Sequence, residues 1–239
     1  MSTLATITTP KIQKPMKTVV IVNKVETDYK EIKKFIDKHS LKTFSKMFFK
    51  KPKPYEIECD SINLIYECFA ILNIKYHLEY YRNKNYNFKV DDNVVESIVF
   101  DQNIIPQVIE EKSRNQKEFR IAAKEHVIDE SSKRLAFDRK GRSINPKQIP
   151  SSKTETNPID FLNSNDFDVR HLDVSIPKIL RKTIKQTPED IDQIIDEHFE
   201  ITSQALIYTP IFEARIINLK SQEIKIIPVC GVTGKQFAI

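Results

Sequence analysis

The sequence predicts an α+β fold: two related helix-plus-antiparallel-meander modules with a β-hairpin insertion between them. Three observations predict it. LIYECFAILNIKY at residues 64–76 returns as LIYTPIFEARIIN at 206–218. Between 64 and 80 every even position is apolar, while beyond Ile71 the odd positions are Asn73, Lys75, His77 and Glu79. That period of two marks a strand with one buried face and one face that becomes wet. Each copy also follows a segment with helical spacing.

Length and composition agree with two small soluble modules in 239 residues, 40% of them apolar and 30% charged. No window reaches the ~18 uninterrupted apolar residues of a membrane helix. The start, MSTLATITTPKIQKPMK, has no apolar core behind a basic segment, so 1–16 reads as a disordered polar tail and not a secretory signal. Cys59, Cys68 and Cys230 form no CxxC pair, and an odd count makes a poor disulfide framework, so a reducing cytoplasm is the expected location.

KTVVIVNKV at 17–25 opens the first module, 17–112, as a β-branched strand. Asp28 and Glu31 resemble a capping box, and Tyr29, Ile32 and Ile36 give a helix over 28–38. Leu41, Phe44, Met47 and Phe48 are also helically spaced, but they fall about 180° from the first set at 100° per residue. A turn is therefore expected near His39 and Ser40. The long strand from Tyr55 then ends at an Arg82–Asn85 turn, Tyr86–Val90 returns, and Asp91–Asn93 turns again before Val94–Phe100.

EFRIAAKEHVIDE and KRLAFDRKGRSI read as the inserted hairpin, 113–144, with Gly141 at positive φ. NPKQIPSSKTETNP, 145–158, reads as a linker. In the second module, 159–239, one helix starts at Ser175 with Ile176, Ile179, Leu180 and Ile184 on one face. Another starts at Thr187–Asp190 with Ile191, Ile194 and Ile195 inward. FEIT at 199–202 then matches YEIE at 55–58, and IPVCGVTGKQFAI at 227–239 lies over FKVDDNVVESIVF at 88–100.

Chemistry is sparse. CGVTGK ends like a phosphate loop, but the motif's first glycine falls on Val229, its hydroxyl on Gln236, and no helix can follow, so a tight turn at Gly231 or Gly234 fits better. Asp91, Asp92 and Glu96 could do acid–base work, yet a solvated turn accounts for them. Cys68 beside Glu67 lies in the buried phase and reads as core, and Tyr66 and Tyr208 read as packing. His39, His77, His126, His171 and His198 lack the spacing of a local metal motif, so neither metal nor cofactor is expected.

Charge is the informative signal. Residues 1–54 hold thirteen lysines against four acids, +9, which leaves −4 for the rest of a chain of net charge +5. LKTFSKMFFKKPKP, 41–54, carries Lys42, Lys46, Lys50, Lys51 and Lys53 with no acid. With Arg82 and Lys84, and with Tyr81 and Tyr86 as stacking platforms, these form the candidate anionic-partner surface. The reading is a non-catalytic binding or adaptor protein whose partner is a protein. The alternatives are weak, salt-dependent nucleic-acid binding, then an enzyme using Asp91, Asp92 and Glu96; a membrane surface is not the expected partner.

PKPYEIE, LIYECF, Tyr80-Tyr81-Arg82, FKVDD and the terminal YTPIFEARI…GVTGK resemble a group of uncharacterised archaeal proteins with duplicated modules that alternate a Tyr-x-Pro strand with a Val-Asp-Gly-x-Thr-Gly turn. The second copy is similar in outline to the PepSY type of module. Cys68 stands in place of the proline and Cys230 in place of the acid. The resemblance covers about half of the chain and implies a fold with no catalytic residues.

Overall fold

The computed structural model describes residues 11–13, 17–44, 52–99, 102–104, 107–111, 114–164, 167–183 and 190–237. In chain order the elements are β1 (Lys11–Gln13), β2 (Thr18–Val22), α1 (Tyr29–Thr43), β3 (Ile57–Val90), β4 (Ser97–Val99), β5 (Gln102–Ile104), β6 (Gln107–Glu111) and β7 (Arg114–Phe137). There follow β8 (Ser143–Ile144), α2 (Pro158–Ser164), β9 (Asp168–Arg170), α3 (Ile176–Thr183), β10 (Ile191–Asn218) and β11 (Glu223–Cys230). Strands pair in the order β1-β10-β3-β7-β6, with β2 and β11 also on β10, β8 on β7 and β9 on β3; β4 and β5 pair separately. No helix among the described residues is long and apolar enough to cross a membrane.

This mostly β arrangement with a mixed sheet overturns the expected α+β pair of helix-plus-meander modules. The long strands of the two copies pair with each other, so neither copy closes on itself. Arg82–Asn85 is no turn: β3 runs unbroken for 34 residues, because pairing along β7 overrides the weak local preference of Asn and Lys for turns. EFRIAAKEHVIDE and KRLAF are one strand, β7, and not an inserted hairpin. Ile191, Ile194 and Ile195 lie in β10 and not in a helix, while Thr187–Glu189 fall outside the described residues. Lys11–Gln13, within the expected tail, is a strand.

The chain divides into two compact units. The larger comprises 12–75, 132–185 and 200–239. Here β3 and β10 run antiparallel, as the Asn73–Ser203 and Asp60–Arg215 pairs show. Each repeated LIY receives a short parallel strand: Leu206–Tyr208 pair with Val20–Val22 of β2, and Ile65–Glu67 with Asp168–Arg170 of β9. Tyr66, Cys68, Ala70, Leu72 and Ile74 of β3, and Tyr208, Phe212, Ala214 and Ile216 of β10, are buried in the expected phase.

The helices are exchanged between the repeats. α1, which precedes β3, buries Ile32, Ile36 and Phe44 against Phe212, Ala214 and Ile216 of β10 and Ile227 and Val229 of β11. α3, which precedes β10, buries Ile179 and Leu180 against Leu72 and Ile74 of β3 and Phe137 of β7. Ala214 and Ile216 occupy in β10 the places of Leu72 and Ile74 in the aligned β3. The turns correspond too. Gly141 (φ 77) and Gly234 (φ 66) follow β7 and β11, and an added Cβ would lie 3.0 Å from Ile179 Cγ1 and 2.9 Å from Thr27 Cγ2 respectively. The counterpart of VCGVTGK is thus AFDRKGR at 136–142, and not FKVDDNVVESIVF.

The smaller unit comprises 1–11, 76–131 and 186–199. It takes the distal parts of β3, β7 and β10, with β6 antiparallel on β7. Leu78, Tyr80 and Phe199 are buried on one face, where the Tyr76 ring stacks on Phe199 at 4.7 Å. The opposite face is polar, and alternation along the strands brings His77, Glu79 and Tyr81, then Lys124, His126 and Glu130, then Asp192, Asp196 and His198 to it.

Candidate functional site

α1 supplies the candidate surface. Asp28 caps it by accepting from Lys30 N–H at 2.7 Å, and burial of Ile32 and Ile36 fixes which side faces water. The helix continues through His39 and Ser40, where a turn was expected. His39 Nδ1 lies 2.8 Å from the Phe35 carbonyl, and Phe44 reaches the core at the C-terminal end. Continuity aligns Lys30, Lys34, Lys38 and Lys42, each four residues on, with Lys33 beside them. All five are exposed, and none forms an ion pair among the described residues.

Of the expected surface residues, Lys42 belongs to this ridge. Lys53 lies in the same unit, its Nζ 5.6 Å from the Tyr55 ring. Lys46, Lys50 and Lys51, like Met47 and Phe48, lie outside the described residues. Arg82 and Lys84 belong to the smaller unit, on β3. Arg82 is already neutralised by Glu125 at 2.7 Å and Asp190 at 3.4 Å, and the Glu125 hydrogen bond raises its pKa. The proposed stacking platforms are also engaged. Tyr81 packs on His126 with Lys124 Nζ 5.0 Å from its ring, and the Tyr86 hydroxyl donates to Glu125. Sequence reading missed Lys30, Lys33, Lys34 and Lys38; their four-residue step was visible, but the assumed break at His39 separated them from Lys42.

A cleft of about 230 Å³ opens elsewhere in the larger unit, beside the Asp138–Arg142 turn. Arg170 grips Glu213 with two bonds of 2.7 Å, and Arg139 joins Glu67 at 3.1 Å and Asp173 at 2.8 Å. Burial pushes the Glu67 carboxyl up, opposed by Arg139 and Arg170. The guanidinium groups of Arg139 and Arg170 are spent on carboxylates from β3, β9, β10 and the segment before α3, so the network reads as a clamp between strands. Its members were not legible as a group because they come from four separate segments.

The remaining candidates have no activating geometry. Cys68 is buried, and burial pushes its thiol up to about 11, which leaves it a thiol at neutral pH. The Tyr66 hydroxyl is pushed up to about 12 by burial, and its ring packs on Phe161 and Phe167. Tyr208 places its hydroxyl 2.7 Å from His171 Nδ1. Asp91, Asp92 and Glu96 are exposed, with no His or Lys at ion-pair distance among the described residues. The scattered histidines do meet: His77 and His198 stack at 4.8 Å in the smaller unit, a cross-strand pairing that local spacing could not reveal. No protein-family model matches this chain, and neither a curated protein nor a solved structure matches it at a significant level.

Proposed function

We propose that this chain is a non-catalytic binding or adaptor protein that docks an acidic face of a partner protein on the lysine ridge of α1. The observation that carries this reading is the alignment of Lys30, Lys34, Lys38 and Lys42 on one exposed line without ion pairs among the described residues. Like charges four residues apart destabilise a helix by about 0.2–0.5 kcal/mol per pair. An anionic partner removes that repulsion and adds its own attraction. Nucleic acid is the weaker reading, because the two tyrosines that would stack on bases are engaged by His126, Lys124 and Glu125.

The test is a salt titration of polyglutamate, duplex DNA and single-stranded RNA against the full chain and a Lys34→Glu/Lys38→Glu variant. Polyglutamate binding should weaken with salt and fall at least about tenfold in the variant, since each rim ion pair contributes up to about 1 kcal/mol and reversal turns attraction into repulsion. Equal binding by both proteins would remove the ridge from the account. Tighter, steeply salt-dependent binding to DNA or RNA would replace the protein partner with nucleic acid.

A further inference from the structure

We infer that the polar face of the smaller unit binds a divalent first-row transition ion through His77, Asp196 and His198. β3 and β10 lie side by side here, so His77 and His198 stand across from each other with rings stacked at 4.8 Å and 22°. Asp196, two residues before His198, shares its face. One ligand atom from each of the three lies within 4.8 Å of the other two. Tetrahedral bonds of about 2.0–2.1 Å place ligand atoms about 3.3 Å apart, so the longest separation must close by roughly 1.5 Å. To close it, the two imidazoles must rotate about χ1 and χ2 out of their stack so that their in-plane lone pairs converge on the ion. His198 Nδ1 and Asp196 Oδ2, now 2.7 Å apart, open slightly as the ion replaces the proton they share.

A second layer of carboxylates fits the same role. Glu130 Oε1 on β7 lies 3.2 Å from His77 Nδ1. With the proton on Nδ1, that contact fixes the ring and keeps the Nε2 lone pair for a metal, the usual arrangement behind a ligating histidine. Glu79 Oε2 sits 4.0 Å from His77 Nε2, and its other oxygen is held by His126 Nε2 at 2.7 Å, which makes Glu79 or water the fourth ligand. Two imidazoles and a carboxylate select zinc, nickel or copper over magnesium and calcium, which take oxygen shells. The side chains of His77, His198 and Asp196 are 22%, 31% and 40% exposed, so an ion enters directly from solvent.

The competing account is three histidine–carboxylate pairs that need no ion, and titration of the metal-free full chain separates the two. One equivalent of Zn²⁺ should bind with release of protons while Mg²⁺ does not, and the imidazole resonances of His77 and His198, but not of His39 or His171, should move. His77→Gln and His198→Gln should each weaken Zn²⁺ binding at least about 100-fold, and Glu130→Gln about tenfold, as for an outer carboxylate. Urea unfolding of the metal-free variants checks that they fold. Failure to take up Zn²⁺, or uptake that leaves the His77 and His198 resonances in place, overturns the site without reference to any variant. Wild-type affinity in both histidine variants does the same.

Discussion

Burial settles the chemistry of single residues here, and it does so in ways a reagent can read. Cys68 carries a thiol raised to about 11 because desolvation disfavours its thiolate, whereas Cys59 is exposed. Iodoacetamide at pH 8 should therefore label Cys59 in the native chain and leave Cys68 and Cys230 unmodified until urea is added, as counted by intact mass. Native labelling of Cys68 at a comparable rate would contradict its place in the core. The two positive-φ glycines make a similar local test. Gly234→Ala forces an alanine into the left-handed backbone of that turn and puts its Cβ 2.9 Å from Thr27 Cγ2, so it should cost about 1–3 kcal/mol in urea unfolding. Thr27→Ser, which deletes the colliding methyl, should return part of that loss in the double variant.

At the scale of the element, α1 shows how packing and electrostatics divide one helix. Ile36 is wholly buried against β10 and β11, so Ile36→Ala should destabilise by about 2–5 kcal/mol. Lys34→Ala and Lys38→Ala each break like-charge steps and should change stability by less than about 0.5 kcal/mol, while both weaken binding of an acidic partner. A large loss from either lysine would mean that the ridge holds the fold together. The strand periods over 64–80 of β3 and 206–216 of β10 and the cap at Asp28 were readable from the residues. Continuation of α1 past His39 was not, because the phase shift of Leu41, Met47 and Phe48 implied a break that the described part of the helix does not make. The expected turn at Arg82–Asn85 failed for a related reason: Asn and Lys sit comfortably in a strand whose partner supplies the hydrogen bonds.

For the whole molecule, exchange of helices between the repeats makes the two halves of the chain dependent on each other. α1 finds its apolar partners on β10 and β11, and α3 finds its own on β3 and β7. Fragments 17–144 and 145–239, expressed separately, should thus remain largely unfolded by circular dichroism and recover a cooperative urea transition when mixed as a 1:1 complex. Independent cooperative unfolding of either fragment would restore the picture of separate modules. By itself the sequence determined the period-two strands over 64–80 and 206–216, most of their buried phase, the recurrence of LIY and the turn glycines, since each depends on neighbours within a few residues. Tertiary structure alone decided that the repeats pair with each other, that their helices cross over, and that His77 meets His198. Those outcomes depend on strand partners more than a hundred residues apart, and a period of two says which face of a strand is apolar but nothing about which strand lies beside it.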